Sequence, residues 1–168
     1  MLDLALDLAP YLRLLQAFGC EVAVEPANEP NNPQTSFPVE HWSKRQRDYL
    51  LLRTLLPRGV KLVAPGLMPA PVDQLLPWLN EDRAQFDYDG VHVYHTAGVQ
   101  GLMLPPRTYA PVLVTELGYS GPDLDRRAEL NTEVTDWLHD NLGWSSFTFF
   151  ILPWDDMGEW ASYALTTE

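Results

Sequence analysis

Two glutamates, Glu29 and Glu116, stand at corresponding points of two short valine-containing runs, each where the run gives way to loop residues. Two carboxyl groups that face each other across a site have a specific use. One, kept protonated, can protonate a leaving-group oxygen, while the other, kept ionised, attacks or stabilises an oxocarbenium-like centre. The alternative is that such acids cap a following helix, but Glu is a poor N-cap residue. The pair is therefore the first candidate for catalysis.

Further polar and aromatic residues occupy similar positions. His92 and Tyr94 are two residues apart on one predicted strand and so share a face. A phenol beside an attacking carboxylate can hold its orientation, and the indole of Trp154, after the last predicted strand, offers a flat apolar surface to a sugar ring. His95 either touches a substrate or simply starts a loop, and the sequence favours neither.

These residues need a scaffold that gathers strand ends. Five strand-like runs start near residues 20, 60, 86, 111 and 144, and helices are predicted over 1–19, 39–56, 71–84 and 123–142. The alternation predicts an α/β fold with a parallel sheet and right-handed crossovers. The carboxyl ends of its strands then meet along one edge, where such proteins place their chemistry. Between residues 94 and 111 lie only sixteen residues, rich in Gly and Pro, so a loop is expected there.

Composition narrows the class of protein. The 168 residues, of which 46% are apolar, predict a single globular domain over residues 1–168. Lys and Arg number 11 against 23 Asp and Glu, a net charge of −12, which disfavours nucleic-acid and membrane-surface partners. No apolar run approaches the ~18 residues of a membrane span. The leucine-rich start carries acidic rather than basic residues, which argues against a secretory signal and leaves a cytoplasmic location as the default.

Together the strand-end residues resemble the later part of a clan A glycoside hydrolase, a retaining β/α-barrel glycosidase. The resemblance covers nearly the whole chain, and its matches are Val24-Glu-Pro-Ala-Asn-Glu-Pro30, Gly90-Val-His-Val-Tyr94, Val112-Leu-Val-Thr-Glu-Leu-Gly118 and the region of Trp154. It implies barrel strands four to eight, with Glu29 as acid/base and Glu116 as nucleophile. It also implies that Asn28 contacts the sugar 2-hydroxyl, that Tyr94 supports Glu116, and that His92 and Trp154 bind substrate. The implied substrate is a β-linked oligosaccharide or glycoside, with no cofactor and no metal.

The resemblance also exposes a deficit. A barrel of this type takes about 250 residues and eight strands, whereas five strands cannot close a small barrel. We therefore expect a partial or open barrel of five βα units, with open strand edges that associate with a second copy or with a partner chain. Beside the active glycosidase stand two alternatives: a non-catalytic structural or carbohydrate-binding protein on the same scaffold, and one half of a split glycosidase.

The remaining residues receive simpler interpretations. His41 and His139 are expected on the surface, and Trp42, Trp78 and Trp137 in packing positions. Cys20 is expected to be a small core residue. The acidic loop of Asp155, Asp156 and Glu159 matches no metal-ligand spacing. Glu25, if buried, needs a partner such as an arginine or a backbone donor.

Overall fold

A computed structural model describes residues 2–35, 37–119 and 124–149. Its five strands form one parallel sheet in the order β1-β2-β3-β4-β5, curled into half a barrel with helices between the strands. The helices and strands are α1 (Leu2–Ala17), β1 (Ala23–Val24), α2 (Trp42–Leu50), β2 (Lys61–Ala64), α3 (Val72–Leu75), β3 (Tyr88–His95), β4 (Val112–Tyr119), α4 (Arg127–Leu142) and β5 (Ser145–Phe149). The predicted partial β/α barrel of five units is confirmed.

The two long helices end where glycine permits a left-handed turn. Gly19, with φ of 80°, follows α1, and Gly143, with φ of 65°, follows α4, where its amide donates to the carbonyl of His139. A residue with a Cβ adopts this conformation only with strain, so these glycines are the natural stop signals. Both ends were predicted from the sequence.

The two middle helices are less regular than the sequence predicts. The segment predicted as one helix over 39–56 is α2 flanked by two 3₁₀ turns, Val39–His41 and Leu51–Thr54. The segment over 71–84 contains only the single turn α3, the 3₁₀ turn Leu76–Trp78 and a separate 3₁₀ stretch, Glu81–Gln85. Pro77 lacks an amide hydrogen, and its ring clashes with the preceding turn, so α3 cannot continue through it.

The strand β1 is shorter than expected and lies at the edge of the sheet. It pairs only through Ala23 and Val24, which lie opposite Lys61 and Leu62 of β2. Pro26 lies two residues beyond the end of β1, and without an amide hydrogen it could not donate to the ladder. Within the described residues β1 and β5 are the two outer strands, as the five-unit prediction requires.

Apolar packing divides into two main clusters on the helical side of the sheet. One joins α1 and α2 to the first two strands around Leu12, Leu52 and Leu62. The other joins α4 to β3 and β4 through Val91, Val93, Val114, Leu117, Val134 and Leu138. Because these valines and leucines point toward the helices, the alternate residues of β3 and β4 point into the half-barrel.

Some single-residue interpretations are confirmed, and one is wrong. His41 and His139 are exposed, and the rings of Trp42 and Trp78 pack 5.5 Å apart. Cys20 is exposed rather than buried, since it follows Gly19 in the turn between α1 and β1. Among the described residues, no helix is both long and apolar enough to cross a bilayer.

Candidate active site

The carboxyl ends of three strands bring the predicted residues together. The chain leaving β1 carries Glu29, β3 carries His92 and Tyr94, and β4 carries Glu116. These strands are separated by long stretches of sequence. Nevertheless, one carboxylate oxygen of Glu29, one ring nitrogen of His92 and one carboxylate oxygen of Glu116 all lie within 4.8 Å of one another. The edge predicted to hold chemistry is therefore the edge at which the structure assembles its cluster of acids.

A β-bulge in β4 turns Glu116 into the half-barrel. Val91 lies opposite Val114, but the next residue of β3, His92, lies opposite Glu116, so that Thr115 is the extra residue. Val114 and Leu117, three apart, consequently both pack against α4. Without the bulge, strict alternation would place Glu116 on the helical side, so the irregularity is what makes this carboxylate available.

Glu29 occupies a strained and tightly bonded turn. Its φ of 41° lies in the left-handed region that only glycine adopts freely. The Glu29 carbonyl accepts from the Asn32 amide at 2.9 Å, and Asn32 Nδ2 donates to Glu29 Oε2 at 3.0 Å. Asn31 ties the same turn to the loop after β2 through the Met68 backbone, its side chain donating to one group and accepting from the other, both at 2.8 Å. Strained backbone of this kind is concentrated at functional sites.

The imidazole of His92 lies between the two candidate catalytic carboxylates, and its side chain is fully buried. Nδ1 is 3.1 Å from Glu29 Oε1 and 3.6 Å from Glu116 Oε2. The Tyr94 hydroxyl donates a hydrogen bond to that same Glu116 oxygen. The carboxylates themselves reach the surface, with 11% of the Glu29 side chain and 18% of the Glu116 side chain exposed.

Glu25 and Gly66 complete the cluster. Glu25 Oε1 accepts from the Gly66 amide and lies 3.9 Å from Nε2 of His92. Glu25 was expected to need either an arginine or a backbone donor if buried, and the Gly66 amide supplies the backbone donor. The sequence did not identify Gly66 or Asn32 as members of the site. The one available signal was their place in turn-rich segments that directly follow β1 and β2.

The charges of the cluster alter its pKa values in opposing directions. Burial raises the pKa of Glu25, which the Gly66 amide and His92 only partly oppose. Burial also acts to raise the pKa of Glu29, but the hydrogen bonds from His92 and Asn32 outweigh it, and the net pKa is lowered. Burial acts to lower the pKa of His92, yet the hydrogen bond to Glu29 and the charges of Glu116 and Glu25 raise it above its usual range. The raised pKa extends to higher pH the range in which the imidazole is cationic among these carboxylates.

The side-chain oxygens of Glu29 and Glu116 and a ring nitrogen of His92 are also close enough together to bind one metal ion. A divalent cation at Glu29, His92 and Glu116 would have to replace the hydrogen bonds that already join His92 to Glu29 and Tyr94 to Glu116. A metal would also require the neutral imidazole, whereas the surrounding carboxylates raise the pKa of His92.

Other predicted site residues lie apart from the cluster or outside the described residues. Asn28 is exposed beside Glu29. His95 is buried on the helical side, where Nε2 lies 2.9 Å from Asn131 Oδ1 of α4 and the ring packs 5.4 Å from that of Tyr119. It is a packing residue, which resolves the alternative that the sequence left open. Trp154 and the acidic loop after it lie outside the described residues.

A buried ion pair joins the segment after β2, which carries Gly66, to β3, which carries His92. Arg83 binds Asp89 at the start of β3 through two nitrogens: Nε donates to Oδ1 at 2.7 Å, and Nη2 donates to the same oxygen. Arg83 Nη1 also donates to the Pro65 carbonyl at 3.0 Å. The second Asp89 oxygen accepts from the Tyr109 amide at 2.9 Å. Asp89 and its partner Arg83 therefore join the end of β2, the start of β3 and the long loop before β4.

No model of a protein family matches the chain, and no curated protein matches it. Solved structures do. The chain is similar to a GH128 (subgroup VI) exo-β-1,3-glucanase from Aureobasidium namibiae, with a TM-score of 0.59, 20% identity, and 80% of this chain and 56% of that one covered. It is also similar to a GH128 (subgroup V) exo-β-1,3-glucanase from Cryptococcus neoformans, with a TM-score of 0.57, 18% identity, and 81% and 58% covered.

A third similar structure is a GH128 (subgroup II) endo-β-1,3-glucanase from Sorangium cellulosum, with a TM-score of 0.56, 17% identity, and 77% and 58% covered. The chain therefore spans a little over half the length of these solved structures. At such identities the likeness shows the fold alone: the chain has the fold of a partial β/α barrel like the matching part of these structures.

Proposed function

We propose that the chain carries the catalytic groups of a clan A retaining glycosidase that cleaves a β-1,3-linked glucan. One observation carries the proposal: an oxygen of Glu29 and an oxygen of Glu116 lie within 4.8 Å of each other at a partly exposed edge. Retaining enzymes place their two carboxyl groups about 5–5.5 Å apart, whereas inverting enzymes need roughly 6.5–9.5 Å. The substrate class rests on the three glucanases named above, which all act on β-1,3 linkages.

The proposed reaction has two displacements. A Glu116 oxygen bonds to the anomeric carbon while the bond to the leaving oxygen breaks, and Glu29 gives that oxygen its proton. Water then bonds to the same carbon, returns a proton to Glu29 and releases Glu116. Tyr94 holds the nucleophile through its hydrogen bond. Asn28 at the sugar 2-hydroxyl and Trp154 along the subsite remain predictions from the resemblance.

Protonation sets the working pH of this mechanism. Because the pKa of Glu29 is lowered, the free protein holds this residue ionised at neutral pH. The first displacement requires the protonated form, so activity is expected to be highest in acid and to fall as the pH rises through the pKa of Glu29.

Hydrolysis of β-1,3-gluco-oligosaccharides and of aryl β-glucosides tests the proposal. Glu29→Gln should lower kcat/KM on oligosaccharides by ~10²–10⁴-fold. The same variant should lose much less kcat/KM on a dinitrophenyl glucoside, because the dinitrophenolate leaving group needs no proton. Glu116→Gln should lose activity on both substrates, and the first-formed product should keep the β configuration by proton NMR. Glu40→Gln, at an exposed acid, is the matched control. Equal background rates for the native chain and both active-site variants would refute the catalytic assignment.

A non-catalytic carbohydrate-binding scaffold is the second candidate. It is favoured by the lowered pKa of Glu29, which leaves the proposed acid ionised at neutral pH. It predicts that β-1,3-gluco-oligosaccharides bind to the chain in calorimetry. It also predicts that neither the native chain nor the Glu29→Gln and Glu116→Gln variants hydrolyse them. The other alternative, one half of a split glycosidase, predicts turnover only once a second polypeptide is added.

We further propose that another polypeptide, a second copy or a partner chain, covers the open side of the half-barrel. Four apolar residues in the last turns of α1 and directly after it are exposed, among them Phe18 at 77%; they are Tyr11, Leu14, Leu15 and Phe18. Their spacing is that of a single helix face, opposite the buried Leu12. This face belongs to the helix that leads into the outer strand β1, so one covering chain could reach both.

A further inference from the structure

Glu25 is a partly buried acid for which the two-glutamate mechanism has no use. It follows β1 directly, four residues before Glu29, and its side chain is 21% exposed. Its Oε1 atom accepts a hydrogen bond from the amide of Gly66, at the end of β2. The same oxygen is 3.9 Å from Nε2 of His92. Glu25 therefore faces Nε2 of the His92 imidazole, and Glu29 faces Nδ1 of the same ring.

The Nε2 side of His92 depends on Glu25. Nδ1 has Glu29 at 3.1 Å, whereas the buried Nε2 has no hydrogen-bond partner within the described part of the chain. A buried N–H with no acceptor is costly, and a buried positive charge more so. The carboxylate of Glu25 is the group that faces this nitrogen at ion-pair distance.

Gly66 lets the ring lie in this position. A Cβ on Gly66 would be 2.3 Å from Cδ2 and 2.4 Å from Nε2 of His92, and 3.1 Å from Glu25 Oε1. Real carbon contacts are ~3.5–4.0 Å, so only glycine leaves room for the ring. The backbone after β2 therefore does two things: it supports one side of the imidazole and orients the carboxylate of Glu25 toward it.

We propose that Glu25 is a positioning residue that acts through His92 on Glu29 and Glu116. It holds the imidazole from the Nε2 side, so that Nδ1 stays directed at the two carboxylates. The catalytic consequence rests on the proposed glycosidase function, whereas the hold on His92 is a property of the folded chain alone.

The charged groups around His92 come from three sides. Glu25 and Glu29 face it from the chain after β1, Glu116 faces it from β4, and the segment after β2 contributes the Gly66 amide. Replacing Glu25 by Gln removes one of three negative charges, so the pKa of His92 should fall. Once His92 is neutral, Glu29 loses the cation that lowers its pKa, and that pKa should rise.

Nuclear magnetic resonance tests the hold on His92 without any substrate. The imidazole signals are followed through a pH titration, and His92→Gln identifies the signal among the four histidines. In the native chain the His92 midpoint should lie above the ordinary imidazole value of about 6.5, with both ring nitrogens protonated below that midpoint. Glu25→Gln should lower the midpoint by about one pH unit, the effect of one opposite charge at ~4–6 Å. Glu25→Asp keeps the charge and should restore part of the shift, and Glu40→Gln should change nothing.

A neutral His92 in the native chain at pH 6 would overturn the proposal even if the variants did not fold. An unchanged midpoint in folded Glu25→Gln, or equal effects of Gln and Asp, would overturn it as well.

The pH profile of kcat/KM tests the catalytic consequence. In Glu25→Gln the high-pH limb, set by Glu29, should move to higher pH. A residue that only supported the fold would lower the rate equally at all pH values. If the native chain hydrolyses no glucan, the glycosidase proposal fails while the NMR titration still decides the role of Glu25. If the chain is active and the limb does not move, the proposal for Glu25 fails alone.

Discussion

Asp89→Asn should destabilise the protein far more than the loss of an ordinary surface charge. The side chains of Arg83 and Asp89 are only 1% and 2% exposed, so the arginine depends on this carboxylate for its charge balance. Asparagine has nearly the same volume, but its single carbonyl oxygen cannot accept from both Arg83 and the Tyr109 amide, so the change removes the charge together with one acceptor. Removing one member of a buried ion pair typically costs 3–5 kcal/mol, because the partner stays buried and uncompensated.

Urea unfolding followed by tryptophan fluorescence measures the effect, since the chain has six tryptophans. We expect Asp89→Asn to lower the free energy of unfolding by about 3–5 kcal/mol, a large part of the ~5–15 kcal/mol typical of a domain. The control is Glu129→Gln, in the pair of Arg126 and Glu129 whose side chains are 54% and 69% exposed. That change should cost about 0.5 kcal/mol or less. A cost for Asp89→Asn no larger than the control's would refute the reasoning that this pair holds β2 and β3 together.

Three further predictions concern the site and the open side of the barrel. Tyr94→Phe removes the hydrogen bond to Glu116 and should leave the stability of the protein unchanged. It should lower kcat/KM on β-1,3-gluco-oligosaccharides by roughly 10–100-fold, because hydrogen bonds to charged groups are worth ~1.5–3 kcal/mol. An unchanged kcat/KM would contradict the role of Tyr94 in supporting Glu116. Because the folded pKa of His92 is raised, its stabilising contribution is complete below the unfolded pKa of about 6.5 and is lost as the pH rises through the folded pKa. The Tm of the native chain should therefore fall between neutral and alkaline pH more than that of His92→Gln, and parallel curves would speak against the ion pairs. Light scattering should show association that Leu14→Glu with Phe18→Glu abolishes, and a native monomer would remove the second-copy form of the covering chain.

Local pattern accounts for the parts of the fold that the sequence predicted well. The alternation of valine-rich runs with helical segments marks the order of elements, and Gly19 and Gly143 mark helix ends through their own backbone freedom. The rule that parallel strands gather chemistry at their carboxyl ends then places Glu29, His92, Tyr94 and Glu116 on one edge without any coordinates. The helix predicted over 71–84 is longer than the helix in the structure, because a pattern judged over the whole segment gives too little weight to the single proline Pro77.

The residue types at the strand ends, set by the order of amino acids alone, determined which groups could do chemistry and on which edge of the sheet. Only the tertiary structure decided how they meet. The bulge at Thr115 that turns Glu116 inward, the contact of Gly66 with His92, and the pairing of Arg83 with Asp89 all depend on how separate segments approach one another. Hydrophobic period and turn chemistry act over a few neighbouring residues, whereas these contacts depend on register between strands and on a shared low-dielectric interior, which exist only once the chain has folded.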